Sequence, residues 1–246
     1  MNLILENSYI KGSDAVGGIT GSNYGFIKGC INASIVLGFR YIGGLVGKNF
    51  GQIEDCINKG SISLIADGSS MVGGIAGFND ETIKGCTNEG TVDGDTVGGI
   101  TRINDKRIEN CTNKGKVSGK EIIGGIVGIN QDYNLCGEIE NCVNEGPISG
   151  KNNVGGIIAS NIDTVKNCVN KGSVDAKNTV GGIFGKNSKK VEKCINSGAV
   201  NGKKDVGGIA GIGHEYDDAE IIDCQNTGVI NGSSGEKTSS KCCLLF

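Results

Sequence analysis

The hydrophobic positions of this chain fall into one short phrase that returns eight times. Each copy holds a Val/Ile-Gly-Gly-Ile-like stretch whose Gly-Gly pair begins at Gly17, Gly43, Gly73, Gly98, Gly124, Gly155, Gly181 or Gly207. Farther on stands Cys-x-Asn, at Cys30, Cys56, Cys86, Cys111, Cys142, Cys168, Cys194 and Cys224. The dominant step is 26 residues. A fixed period of this size marks a solenoid, in which each repeat buries its apolar face only against the copies on either side.

Within the half-repeat that follows each cysteine the pattern has period two. From the second copy onward, the sixth residue after the cysteine is a β-branched aliphatic: Ile62, Val92, Val117, Ile148, Val174, Val200 and Ile230. The third residue after the cysteine is polar: Lys59, Glu89, Lys114, Glu145, Lys171, Ser197 and Thr227. Side chains of a strand alternate between its faces. The aliphatics therefore point inward and the charges outward, and the cysteine and the Asn two residues later share the inward face. In the other half, two residues separate an aliphatic (Ile27, Ile53, Ile83, Ile108, Ile139, Val165, Val191) from the cysteine. That odd spacing between two inward positions demands a bend. Three short strands and three bends then account for a repeat, and helical periodicity is absent. The predicted fold is all-β, a single-stranded parallel β-helix (β-solenoid) of about eight rungs, expected to coil right-handed over residues 1–232. Residues 233–246 read as a flexible Ser/Gly/Lys linker and tail.

Stacking in register turns equivalent residues into vertical neighbours about 4.8 Å apart. Lys59, Glu89, Lys114, Glu145 and Lys171 then form a ladder of alternating sign, as in-register stacking favours, because like charges directly opposite are destabilising. The inward amides Asn32, Asn58, Asn88, Asn113, Asn144, Asn170, Asn196 and Asn226 form a second column, whose buried groups must be hydrogen-bonded. The glycine after each Asn, from Gly60 to Gly228, suits a bend with positive φ. The Gly-Gly pairs mark a corner or a tight backbone approach. Counting back from Gly17 puts Ile4 in the cysteine position. The chain would then open half a repeat in, as a piece of a longer protein or with a bare first rung, and that open sheet edge invites end-to-end self-association.

Composition narrows the picture. The 44 glycines without a triplet period exclude collagen. Net charge is −3 with the lysines dispersed along the sequence, so neither a nucleic-acid footprint nor a basic membrane patch is visible. No apolar run approaches the ~20 residues that cross a bilayer, and the first residues lack the basic start of a secretory signal.

Three insertions break the period: Ser61–Ser70, Gln131–Glu138 with Tyr133 and an off-register Cys136, and Ile212–Ala219. The last two sit at one point of the repeat and should leave the solenoid at one edge, roughly 14 Å apart. Per-repeat insertions collect on binding faces, which makes Tyr133 and Tyr216 binding-loop candidates. His214, Glu215, Asp217 and Asp218 are the one set able to offer oxygen and imidazole ligands to a cation, but they share a single loop with the chain's sole histidine, and a solvated acidic loop is the simpler reading. The repeated cysteines Cys56, Cys86, Cys111, Cys142, Cys168, Cys194 and Cys224, with Cys30, cannot converge tetrahedrally on a metal from one wall. They read as small buried hydrophobes. Their number points to a reducing setting or an anaerobic source. The ending Cys243-Leu244-Leu245-Phe246 fits a prenylation signal, with Cys242 a second acceptor. A chance ending is the alternative. With one histidine no Ser-His-Asp or Cys-His set is available, no cofactor is implied, and a catalytic cleft would need a local departure from repetition.

Val72-Gly73-Gly74-Ile75-Ala76-Gly77, followed by Ile83-x-x-Cys86-x-Asn88-x-Gly90-x-Val92-x-Gly94, resembles the GLUG-type repeat of large bacterial surface proteins, including adhesin-like proteins of gut Firmicutes and the non-catalytic region of IgA-cleaving metallopeptidases. The likeness covers about residues 4–232, and Gly43-Gly44-Leu45-Val46-Gly47 comes nearest to the name. It implies a non-enzymatic β-solenoid stalk or adhesive segment outside the cell, with a protein or glycan ligand and no nucleic acid. Two other readings remain open: an intracellular scaffold tethered to a membrane by a prenylated tail, and a carbohydrate-active β-helix.

Overall fold

A computed structural model describes residues 2–66, 70–131, 137–213 and 219–232. Every element among them is a strand, and every strand pairing is parallel. The strands form one 22-stranded sheet and two eight-stranded sheets that run the length of a solenoid of about eight turns. One rung shows the course. The first wall carries Ile57–Asn58, Ile62–Leu64 and Met71–Gly73, the second Ala76–Asn79 and the third Thr82–Lys84. The chain then returns to the first wall at Thr87–Asn88, directly against Ile57–Asn58.

The three walls match the three strands expected, but the first wall is itself broken into three short stretches. The inward asparagine causes the first break. Asn58 Nδ2 donates to the Gly60 carbonyl at 2.9 Å, which pinches the backbone after two residues. The same 2.9 Å pinch recurs at Asn88 and Asn113, but the second break is bridged there, and single strands run on through Val92–Gly98 and Val117–Gly124.

Register follows the repeat closely. Ile83 pairs with Ile53 and Ile108, Asn88 with Asn58 and Asn113, and Gly98 with Gly73 and Gly124. The interior splits into two apolar clusters. One holds the cysteines with Ile75, Ile100, Ile126 and the Ile53–Ile83–Ile108 column. The other holds Val36, Ile62, Val92, Val117 and the Ile42–Val72–Val97 column. Burying such a side chain contributes about 1.5–3 kcal/mol, and each column repeats that gain rung after rung.

The glycines act differently from expectation. Gly60 and Gly90 do not take positive φ, which among glycines occurs only at Gly29 and Gly85 within the described residues. They are required sterically. A Cβ on Gly60 would lie 1.8 Å from the Ser34 carbonyl oxygen of the neighbouring rung, and one on Gly44 would lie 2.2 Å from that of Gly74. The left-handed residue sits instead just before each cysteine, at Gly29, Asp55, Gly85, Asn110, Asn141, Asn167, Lys193 and Asp223. This is the bend that the odd spacing demanded. Gly, Asn and Asp tolerate that region best, and Lys193 is the exception.

The first strand also corrects the count at the start. Ile4 pairs with Ile31, not with Cys30, so Leu3 occupies the cysteine position. An irregularity between Glu6 and Tyr9 takes up the extra residue, with Asn7 at φ 52°. Ile10 still pairs with Val36 as the repeat requires.

Candidate functional site

The inward polar columns are connected rung to rung and buried up to the last one, where Asn226 is exposed. Asn58 Nδ2 donates to Asn88 Oδ1 at 2.8 Å, Asn88 to Asn113 at 2.8 Å, Asn113 to Asn144 at 2.8 Å and Asn144 to Asn170 at 2.7 Å. The same bonds continue through Asn196 to Asn226 at 2.7 Å. Each amide also donates to the carbonyl two residues on, as Asn113 does to Gly115 at 2.9 Å. A satisfied hydrogen bond of this kind contributes about 1 kcal/mol, and an orphaned partner costs more.

A second ladder was not anticipated. Asn23, Asn49, Asn79, Asn104, Asn130, Asn161 and Asn187 stack along the second wall, with Asn49 donating to Asn79 at 2.7 Å and Asn104 to Asn130 at 2.9 Å. Its sequence signal is an Asn six residues after the first Gly of each pair, interrupted at Gly213.

Every repeat cysteine is buried and free of disulfide bonding. Cys56 Sγ donates to the Glu54 carbonyl at 3.1 Å, and the pattern recurs at Cys86 and Cys111. Burial pushes the thiols of Cys111 and Cys142 well above the ordinary range. Toward the far end, hydrogen bonding from Cys168 pulls Cys194 the other way. The column is therefore part of the core, as its parity predicted. Among the described residues, no group of three or more His, Cys, Asp or Glu converges as a metal site would.

His214, Glu215, Tyr216, Asp217 and Asp218 lie outside the described residues, as do Tyr133, Cys242 and Cys243. The bases of the two binding-loop insertions are nevertheless placed. Both leave between the second and third walls, after Val127–Asn130 and after Ala210–Gly213. At the first, Asn130 Nδ2 donates to the Gly137 carbonyl at 2.9 Å, where other rungs use the residue two positions on. The ladder thus closes beneath the insertion without a gap.

The outer surface near that corner holds an aromatic cluster. Tyr24 and Phe50 stack in consecutive rungs at 5.1 Å and 13°. Phe78 follows Phe50 at 6.0 Å and meets Tyr41 edge-on at 6.3 Å. Lys48 Nζ sits 4.1 Å from the Tyr41 ring centre and 3.0 Å from Asp14. Tyr41, Met71, Phe78, Phe50 and Ile103 line a groove of about 350 Å³ with Gln131 at its rim. Gln131 is also the last described residue before the insertion carrying Tyr133, so the sequence-predicted loop springs from the edge of this groove. The groove itself escaped sequence reasoning, because its residues come from three different outward columns and from both sides of the Gly-Gly corner.

The GLUG motif matches at residues 40–63 and 68–93, the two copies that supply Tyr41, Phe50, Met71 and Phe78 to this cluster. Those two stretches are similar to the GLUG motif. No curated protein and no solved structure matches it. The two motif matches, the strand course and the in-register ladders fit a structural repeat protein.

Proposed function

We propose that this GLUG-repeat solenoid is a non-enzymatic, adhesive segment of a bacterial cell-surface or secreted protein. The observation that carries the reading is the aromatic groove around Phe50 and Phe78. Of the five tyrosines and six phenylalanines, Tyr9, Tyr24, Phe26, Phe39, Tyr41, Phe50 and Phe78 fall in the first 78 residues. Tyr24, Phe26 and Phe39 are 78%, 57% and 47% exposed. Aromatic residues are enriched in the cores of recognition surfaces, and here Gln131, which lines the groove, is the last described residue before the period-breaking insertion. The ladders beneath hold that surface rigid, which suits a segment that must stay in shape while engaged.

The test is retention of the protein on glycan arrays and immobilised host cells, comparing the parent with Phe50→Ala/Phe78→Ala. At least about thirtyfold weaker retention, with an unchanged circular-dichroism spectrum, is the expected result, since a hot-spot aromatic contributes on the order of 2 kcal/mol or more. Undiminished retention would remove the groove as the adhesive face. Turnover of a polyuronide by the parent would overturn the non-enzymatic part of the reading.

A further inference from the structure

Lysines that are dispersed along the sequence are gathered by the coil. Lys120, Lys151, Lys177 and Lys203 occupy equivalent outward positions in four consecutive rungs. Backbone bonds fix their register: Lys151 N–H to the Lys120 carbonyl at 3.2 Å, Lys177 N–H to that of Lys151 at 3.1 Å, and Lys203 N–H to that of Lys177 at 3.0 Å. All four side chains are exposed. Asp95 pairs with Lys120 at 2.9 Å and closes the column on its N-terminal side. Nearby carboxylates are otherwise engaged. Glu121 accepts from Asn152 at 2.9 Å, and Asp175 accepts from Asn201 at 2.7 Å. Among the described residues neither Lys151 nor Lys177 makes an ion pair.

Stacking four ammonium groups at the strand spacing is unfavourable for the fold alone. The molecule avoids this elsewhere, because the Lys59–Lys171 column and the Lys28–Glu54–Lys84–Glu109 column largely alternate in sign. A repeat that can place an acid opposite a lysine, and does so on two other columns, retains a row of positive charge here. We propose that the lysine column is a binding strip for a linear acidic polysaccharide, with successive carboxylate or sulfate groups meeting successive rungs.

Geometry and charge favour that ligand. The strand repeat of about 4.8 Å is close to the length of one sugar unit in an extended chain, so one anionic group per unit finds one ammonium per rung. Duplex DNA carries a charge every ~1.7 Å, far denser than this row. The strip also presents no aromatic ring on which a base could stack. Beside it runs a cleft of about 540 Å³ bounded at one side by Leu64, Ile65 and Ala66. Those three belong to the first insertion, so a departure from the repeat shapes this site as well. The N-terminal end of the cleft carries Asp93, which accepts from Ser118 at 2.5 Å, and Asp95, which Lys120 neutralises, so the ligand's anionic groups meet the strip at Lys151 and beyond, where Ser149 lines the cleft. The strip lies in later rungs than the aromatic groove and does not depend on the adhesive reading of that groove.

The full chain is titrated against polygalacturonate, dextran sulfate, neutral dextran and duplex DNA at low salt. We expect binding to one or both acidic polysaccharides, weakening by about tenfold or more between 50 and 200 mM salt as bound counterions are released. The polygalacturonate and dextran sulfate arms tell carboxylate from sulfate. Lys151→Glu/Lys177→Glu should weaken binding by about tenfold or more, while Lys59→Glu/Lys171→Glu, with the same change in net charge, should stay within about twofold. Melting curves on both variants, with Lys151→Gln/Lys177→Gln as a milder form, separate lost binding from lost folding. Absence of binding to either acidic polymer overturns the proposal. So does equal binding to neutral dextran, tighter binding to duplex DNA, or equal loss in the two charge-reversed variants.

Discussion

Two outward columns on the same solenoid obey opposite rules. Lys59, Glu89, Lys114, Glu145 and Lys171 alternate, and the coil brings Lys114 within 3.4 Å of Glu89 and Lys171 within 3.0 Å of Glu145. Lys120, Lys151, Lys177 and Lys203 repeat one sign over four rungs. Both columns rest on the same backbone register and both are exposed, so neither burial nor strand pairing explains the contrast. The difference teaches that where a repeat tolerates either charge, alternation reflects stacking, and uniformity reflects something outside the fold.

The comparison depends on register, which the buried amides hold. Asn113→Ala removes the donor to Asn144 and the acceptor for Asn88 at once, leaving two buried amides short of a partner. A loss of about 2–4 kcal/mol is expected in denaturant melts, with both charge columns blurred; a loss below about 0.5 kcal/mol would show that the ladder does not set the register. A smaller effect comes from making the first column resemble the second. Glu145→Lys sets three lysines in succession and breaks the Lys171 contact, which should cost up to about 1 kcal/mol at low salt and less at high salt. No change at either salt would mean that the alternation carries no energy. The smallest effect runs the other way. Lys151→Glu makes the second column resemble the first, and should raise stability by a few tenths of a kcal/mol. A fall in melting temperature would show that the lysine row is neutralised by neighbours in the folded chain.

Much of this architecture was legible because repetition does the work of an alignment. Parity placed the aliphatics and Cys56 through Cys224 in the core and ran Asn58 through Asn226 down the inside. The odd spacing before the cysteine announced a bend. The identity of that bend was hidden, because four residue types share the left-handed position and Lys193 is one of them. The glycines after each Asn misled for a related reason. A glycine selected for φ and one selected against a Cβ look alike as letters, and only the 1.8 Å approach of the Ser34 carbonyl at Gly60 tells them apart. The second asparagine ladder could have been found by counting from the Gly-Gly pair. The lysine column was overlooked because sequence measures clustering along the chain, whereas a solenoid clusters residues that lie a full turn apart.

The asparagine ladders all run one way, each Nδ2 facing the Oδ1 of the following rung, with a backbone carbonyl holding each amide in that sense. A single carboxamide that turned over would set oxygen against oxygen on one side and nitrogen against nitrogen on the other. No rung can reverse alone. The interior therefore behaves as a line of dominoes with one allowed lean, giving the solenoid an electrical direction along its axis, so that a defect at any level is felt by its neighbours above and below.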